Sequence, residues 1–427
     1  MNAPPNDDLP DTHLRAVKLA TRDIFRSFRI RNFRLFFSGQ LISQIGNWLT
    51  LVAQTLLVLK LTDSGVALGL LAACQFGPVL LIGPMAGLVA DRSDKRRLLL
   101  LVQSLAMAQS FVLAALAFSG HPPVWAIYLT AGFGGLTTAF DNPTRRSFVV
   151  EMVPEDEINN AVSLNSALMT GSRVVGPALA GLLITTVGFG WAFLADGISY
   201  IAVLIGLSMM RTSELRPARP TPRGKGQVRE GLRYAWSLTE LRVPLLMMAV
   251  IGTLTFNFQT VFPLFVTRDL GGSTVTYTLL MSVVSMGSLV GALAAARRDE
   301  ITVHMVGVTA VAFGLSMAAI AIAPNQKIAF VVGLLVGMSS ISFMTASTAI
   351  VQIRSDPMMR GRVLALQAMV FLGSTPIGGP IVGAIAQRWG ARYSIWVGAV
   401  AAFAAGVYGL VSVRRLREPV APDLASV

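Results

Sequence analysis

The chain has 427 residues, 53% of them hydrophobic and 13% charged, with a net charge of +13 and a mean hydropathy of +0.63. Soluble domains carry about 25% charged residues, so the composition excludes a water-soluble protein and leaves a polytopic membrane protein, with room for about twelve spans of about 20 residues each. The cations sit in short turns between apolar runs, which argues against a nucleic-acid partner; the single cysteine, Cys74, lies inside an apolar run and allows neither an intrachain disulfide nor a cysteine metal cluster.

Residues 1–34 are polar, with no small-residue cleavage pattern after the first apolar run, so no secretory leader is expected. Residues 1–12 read as disordered. Val17, Ile24, Phe25 and Phe28 then share a helical face among Arg15, Lys18, Arg22, Arg26 and Arg29, the pattern of a basic amphipathic helix lying on a membrane surface. Hydrophobic windows place spans at roughly 35–59, 66–90, 97–118, 124–150, 158–187, 191–210, 241–267, 274–296, 302–323, 328–351, 361–387 and 392–412. Pro143 and Pro177 fall inside spans, where neighbouring helices can satisfy the freed carbonyls.

Twenty-nine Lys and Arg fall on one side of this arrangement and five on the other, with Arg173 inside the membrane. By the positive-inside rule both termini are cytoplasmic. The stretch 211–240, rich in Pro, Gly and cations, is a cytoplasmic linker, and its last part, Val228–Leu238, has the pattern of a short amphipathic helix. It separates a bundle over 35–210 from a second over 241–412, with 413–427 as a cytoplasmic tail.

The two bundles repeat one another. Pro154 and Gly176-Pro177 recur as Pro357 and Gly379-Pro380 at an offset of 203, Gly83 and Gly87 as Gly287 and Gly291 at 204, and Asp63 as Asp269 at 206. The fold expected is an all-α membrane protein, twelve transmembrane helices in two six-helix pseudo-repeats, as in transporters that rock two halves about a central site.

The stretch Gly87-x-x-x-Asp91-Arg92-x-x-Lys95-Arg96-Arg97 resembles the signature turn between spans 2 and 3 of the major facilitator superfamily. Asp141-Asn-Pro143-Thr-Arg145, Glu151-Met-Val-Pro154, Asn160-Ala-Val-Ser-Leu-Asn165 and Arg173-Val-Val-Gly176-Pro177-Ala-Leu-Ala-Gly181 resemble the branch that holds enterobactin and macrolide exporters. The likeness covers essentially the whole chain. Three positions depart from it: Asp94 stands where a glycine is usual, Ser172 replaces the first glycine of the span-5 motif, and Thr130 stands where many proton-coupled members carry arginine.

The resemblance implies a gating latch formed by Gly83, Gly87, Asp91, Arg92, Lys95, Arg96 and Glu151. Gly83 and Gly87 would let a helix of the other half approach, Asp91 would accept hydrogen bonds from the N-terminal end of span 11, and Lys95 would reach Glu151. The alternative is a plain topological anchor. The repeat keeps the glycines but puts Ala295 at the place of Asp91 and Arg354 at that of Glu151. The span-5 motif, here Gly171, Gly176, Pro177 and Gly181, is associated with antiporters.

Asp141 and Arg173 lie about 15 and about 22 Å from the cytoplasmic ends of their spans at 1.5 Å per residue. Isolated charges at such depth are costly, so the two are expected to pair, either as a static link or as a pair opened by substrate or proton. Asp196, near the outer end of span 6, reads as a solvated or capping carboxylate, a proton carrier being the alternative. Gln40, Gln44 and Asn47 share a face of span 1, and Asn257 and Gln259 stand beside Phe256 and Phe258 in span 7. With Asn165, Gln367 and Thr345 they are candidates for a substrate cavity suited to a large, mostly apolar ligand, interhelical packing being the alternative.

His13, His121 and His304 have no partners at metal-ligand spacing, so no metal site is expected. There is no phosphate-binding glycine loop and no catalytic constellation, so neither a cofactor nor an enzymatic activity is expected. The expected function is a secondary transporter of the inner membrane, monomeric, exporting a drug-like or siderophore-like small molecule by ion exchange, with the proton as coupling ion. An importer, a lipid flipper and a non-transporting membrane sensor are the alternatives.

Overall fold

The computed structural model describes residues 25–216, 227–296 and 301–417. Most of the basic N-terminal helix, the proline-rich middle of the linker and Arg297–Arg298 lie outside the described residues. Within them there are helices and no strands. Twelve long helices correspond to the expected spans: α1 (Arg31–Thr62), α2 (Gly65–Arg92), α3 (Lys95–Phe118), α4 (Val124–Glu151), α5 (Ile158–Thr186), α6 (Phe189–Ser208), α7 (Thr239–Asp269), α8 (Thr274–Ala296), α9 (Val303–Ala321), α10 (Gln326–Arg354), α11 (Arg360–Trp389) and α12 (Ala391–Arg417).

Eleven of these are long and apolar enough to cross a membrane. The exception is α4, whose glycines, threonines and charged Asp141, Arg145, Arg146 and Glu151 lower its hydropathy. The outer surface is apolar, with Leu81, Trp125, Leu129, Val331 and Val400 exposed, as a lipid-facing surface requires. Both α4 and α5 run unbroken through Pro143 and Pro177.

Helices α1–α6 pack together and α7–α12 pack together. Two seams join the halves, α2 against α11 and α5 against α8. The repeat makes these seams equivalents of each other. Both are tight at one end of the molecule. Gly65 and Gly69 of α2 lie against the backbone of Gly383 and Gly379 of α11, and Gly181 of α5 lies against Thr278 of α8. Gly65 N–H donates to Gln387 Oε1 at 2.8 Å, and Arg268 pairs with Asp63 at 3.1 Å. Asp63 takes a left-handed conformation, φ 42°, to end α1 there.

Toward the opposite end, where the linker lies, the halves part. Leu80 of α2 still touches Gly373 of α11, but a Cβ added at Gly83, Gly87 or Gly171 would meet nothing within 4 Å. The linker ends in the expected amphipathic helix, Gln227–Ser237. It docks on the second half, with Glu230 paired to Arg362 at 2.6 Å and the Tyr234 hydroxyl accepting from the Asp356 N–H at 2.9 Å. On the first half, Ser27 donates to Asn160 Oδ1 at 2.7 Å and Arg26 pairs with Glu157 at 2.7 Å, fixing the chain's entry beside α5.

Candidate functional site

A cavity of about 280 Å³ lies wholly within the first half, with all six of its helices contributing to the wall. Its lining is polar where a membrane helix is normally apolar: Gln44, Asn47, Gln54, Gln75, Gln103, Gln109, Asn142 and Tyr200 surround four charges, Asp141, Arg145, Arg173 and Asp196. Polar side chains at this depth persist only where they face a cavity or one another.

Asp141 is paired, but not with Arg173. Its carboxylate meets Arg145, one helical turn on, at 2.8 Å, and accepts from Gln103 Nε2 at 2.7 Å. A partner four residues along the same helix is within reach in every arrangement of the bundle, whereas Arg173 must cross from α5. Arg145 donates further to Asn142 Oδ1 at 2.9 Å and to Gln40 Oε1 at 3.2 Å, and Gln44 donates to the same Gln40 oxygen at 3.2 Å. Arg173 stands over the Trp48 ring at 5.9 Å and, among the described residues, makes no ion pair.

Two residues thus stand differently from their sequence-based expectation. Arg145, counted there with the surface cations, is 5% exposed and belongs to the cavity; its spacing of four from Asp141 was the signal. Asp196 is neither solvated nor a helix cap. It is 1% exposed and accepts from Thr50 Oγ1 at 2.6 Å and Ser110 Oγ at 2.7 Å. Gln75, Gln103 and Gln109 are further lining residues that the sequence reading did not select. Their signal was the scarcity of such side chains in apolar spans.

Of the cavity candidates on α1, Gln44 and Asn47 line the wall, and Asn47 Oδ1 accepts from the Tyr200 hydroxyl at 2.7 Å; Gln40, 1% exposed, stands behind them as a support. Asn165 on α5 is half-buried and apart from this wall. In the second half, α7 is interrupted between Leu254 and Phe258. Asn257 at the break donates to Thr253 O at 2.7 Å, while its own Oδ1 is buried with no partner among the described residues. Phe256 and Phe258 flank it and pack with Phe313, Phe371 and Phe262 at centroid distances of 5.0–6.3 Å. Gln259 is half-buried beside them. Gln367 of α11 donates to Ser347 Oγ at 3.1 Å, and Thr345 is half-buried. The structure therefore brings Gln40, Gln44 and Asn47 of the first half together, leaves Asn165 apart, and sets Asn257 and Gln259 of the second half beside phenylalanines.

At the signature turn, Lys95 Nζ and Glu151 Oε1 are 2.6 Å apart and both side chains are buried. This joins α3 to α4 within one half. Arg96 donates to the Leu207 and Ser208 carbonyls at 2.7 and 3.1 Å, capping α6 with a cation. Asp94, the departure from the family pattern, accepts from the Arg97 N–H at 3.0 Å and so caps α3. Asp91 is half-buried and Arg92 exposed. No helix approaches Gly83 or Gly87 in this conformation; the close approach of α2 to α11 falls at Gly65 and Gly69 instead. In the span-5 motif, Gly176 admits the Trp48 side chain, Gly181 admits Thr278, Pro177 is buried, and Gly171 faces open space. Thr130 donates to its own helix at Ile127 O, 2.8 Å. Among the described residues no group of His, Cys, Asp or Glu is placed to hold a metal.

The sequence model of the transmembrane secretion effector family matches residues 23–426. The staphyloferrin A transporter of Staphylococcus aureus is 24% identical over 362 residues, 84% of this chain and 90% of that protein. Macrolide efflux protein A of Streptococcus pyogenes is 23% identical over 84% of this chain and 91% of that protein, and the multidrug efflux pump Tap of Mycobacterium bovis 24% over 83% and 87%. Among solved structures, a bacterial homologue of the human lysosomal transporter Spinster, inward-facing and unoccupied, superposes with a TM-score of 0.73 at 16% identity, covering 92% of this chain and 99% of that one. A POT family transporter bound to a thioalcohol-conjugated peptide gives 0.76 at 10% identity, over 91% and 97%.

Proposed function

Because the chain belongs to the major facilitator superfamily, whose transmembrane secretion effector family it matches from residue 23 to 426, we propose that it is a secondary active exporter of a drug-like or siderophore-like small molecule, driven by proton antiport. Similarity to transporters named for staphyloferrin A, macrolides and multiple drugs supports export. The observation that carries the reading is the membrane-embedded cavity itself, with its four charges on three helices of one half, and a phenylalanine cluster in the other. A charged, polar pocket in one half and a phenylalanine cluster in the other suit an amphipathic ligand held by few hydrogen bonds.

The exporter sits in the inner membrane as a monomer, without a cofactor, with both termini and the linker cytoplasmic. In that orientation the tight seam at Gly65, Gly69, Gly379 and Gly383 is the outer gate, closed, and the gap beside Gly83 and Gly87 opens inward. Alternating access then requires the gap to close, bringing α11 onto Gly83 and Gly87 and the Asp91 turn against the N-terminal end of α11 at Arg360. Lys95, Glu151 and Arg96 hold the turn rigid on its own half, so that it moves as a block.

The test is drug accumulation in a strain lacking the gene and in the same strain restored with wild type, using erythromycin, ethidium and a citrate-type siderophore as probes. Lower accumulation in the restored strain, abolished by a protonophore, is the expected result. Higher accumulation would make the protein an importer, and no change with any probe would remove the export reading. Asp91→Asn and Glu151→Gln should reach the membrane and fail to transport; retained transport in both would remove the latch.

A further inference from the structure

Asp196 has no role so far beyond lining the cavity, yet three helices are shaped around it. Its carboxylate is 1% exposed at residue level and lines the inner cavity. Gly46 on α1 makes the room: a Cβ there would collide with Asp196 Oδ1 and with Ser199 Oγ. Three hydroxyls from three helices surround it. Thr50 Oγ1 on α1 and Ser110 Oγ on α3 lie 2.6 and 2.7 Å from Oδ2, and Ser199 Oγ on α6 lies 3.5 Å from Oδ1.

Two of these hydroxyls have a second acceptor for their single proton. Ser110 Oγ also lies 3.2 Å from Ala106 O, and Ser199 Oγ lies 2.6 Å from Asp196 O. A hydroxyl carries one proton and rotates to suit its surroundings. When Asp196 is ionised, the hydroxyls turn toward the carboxylate. When it is protonated, the carboxyl donates to one hydroxyl oxygen, and Ser110 and Ser199 return their protons to helix carbonyls. Both states are satisfied by rotation alone, with no helix displaced.

The charges around the group complete the case. The segments of α1 and α3 that touch it bring hydroxyls and a glycine but no cation; Lys60, at the far end of α1, lies over the Phe189 ring. On α6 itself Tyr200 is engaged with Asn47. Across the cavity stand Asp141 with Arg145 on α4 and Arg173 on α5. Both oxygens of Asp141 are already taken, by Arg145 and Gln103, so a proton there would have to displace an ion pair. Among the described residues Asp196 has no ion-pair partner, unlike the buried Lys95 and Asp141.

We propose that Asp196, with Thr50, Ser110 and Ser199 as its rotating donors, is the proton-carrying site of the transporter. It accepts a proton from a hydronium in the cavity, releasing water, and returns it to water when the cavity opens to the cytoplasm. Neutralisation exchanges the hydrogen bonds that tie α1 and α3 to α6, which links proton occupancy to the helix that carries Gln44, Asn47 and Trp48. The proposal deepens the antiport reading and rests on it for its role in transport, though not for the existence of the site.

The experiment is pH-difference infrared spectroscopy on the full-length protein in lipid, reading the stretch of a protonated carboxyl, paired with proton-driven erythromycin efflux in the same preparation. Wild type and Asp141→Asn should both show a titrating carboxyl, and Asp196→Asn should lose it. Thr50→Val and Ser110→Ala keep the carboxyl but remove a donor to its charged form, so each should tighten proton binding by about tenfold or more; these also serve if Asp196→Asn does not fold. A titrating carboxyl that survives in Asp196→Asn, or a midpoint unmoved in both hydroxyl variants, overturns the site. If the carboxyl behaves as described but erythromycin and ethidium are not moved by a proton gradient, the export reading fails and the proton site stands. If efflux is proton-driven and the Asp196 signal is absent in wild type, the site fails and the export reading stands.

Discussion

The two halves share one architecture and line it with opposite chemistry. The first half encloses Asp141, Arg145, Arg173 and Asp196 in a wall of amides and hydroxyls. At the equivalent place in the repeat the second half packs Phe256, Phe258, Phe313 and Phe371 around a broken α7. The charged turns at the linker end differ in the same sense. Lys95–Glu151 is buried in the first half, while at the equivalent place in the second Arg354 pairs with Glu240 at 3.5 Å, with the side chains 48% and 41% exposed. A duplicated bundle needs apolar exteriors and tight glycine seams in both copies, so those features stay symmetric. Under the proposed antiport, ion coupling needs charge in one copy only, and an amphipathic ligand gains from aromatic side chains in the other.

The widest separation between the halves is expected in the buried and exposed ion pairs. Lys95→Ala breaks the buried Lys95–Glu151 pair and should cost about 3–5 kcal/mol in thermal unfolding of the detergent-solubilised protein. Arg354→Ala, which breaks the exposed pair at the matching turn, should cost less than about 1 kcal/mol. Equal losses would mean that the asymmetry of the turns has no energetic content. Next in size is Asp141→Asn, which leaves Arg145 buried with one charged partner fewer; energised efflux of erythromycin should fall to background while the protein still reaches the membrane.

On the aromatic wall the effects are smaller and of another kind. Phe256→Ala or Phe258→Ala removes ring contacts of about 0.5–1.5 kcal/mol each, so the apparent affinity for an apolar substrate should weaken a few-fold to about tenfold, with proton dependence unchanged. A changed proton dependence would place coupling in both halves. Smallest is Asp63→Asn at the closed seam, where the carboxylate is 80% exposed beside Arg268. Loss of that pair should shift the balance between inward- and outward-facing states by less than about 1 kcal/mol, read as altered labelling of a cysteine placed at Gly83.

Much of this division could be read from residues alone, and the failures have physical causes. Helix number, repeat and family follow from hydropathy windows and from motifs at fixed offsets, because a bilayer imposes length and apolarity on every span. The family turn pairs Lys95 with Glu151. Depth along each helix marks Asp141 as a membrane charge and points it to Arg173, because depth carries no information on rotation between α4 and α5. Paired arginines read as a span flank, which sets Arg145 at the surface. Asp196 was read as solvated from its closeness to a span end, yet α6 begins at Phe189 and Gly46 draws α1 directly onto it. Glycine rows were visible throughout, but which row meets the other half depends on the state of the gate: Gly65 and Gly69 here, Gly83 and Gly87 in the opposite state under the proposed cycle.

The most direct test of coupling in the first half is proton flux in everted vesicles energised by respiration, followed with a pH-sensitive dye as erythromycin or ethidium is added. Wild type and Phe258→Ala should release protons on substrate addition, and Asp141→Asn and Asp196→Asn should not. Substrate-dependent proton release that survives both aspartate substitutions, or is abolished by the phenylalanine change alone, would contradict the account.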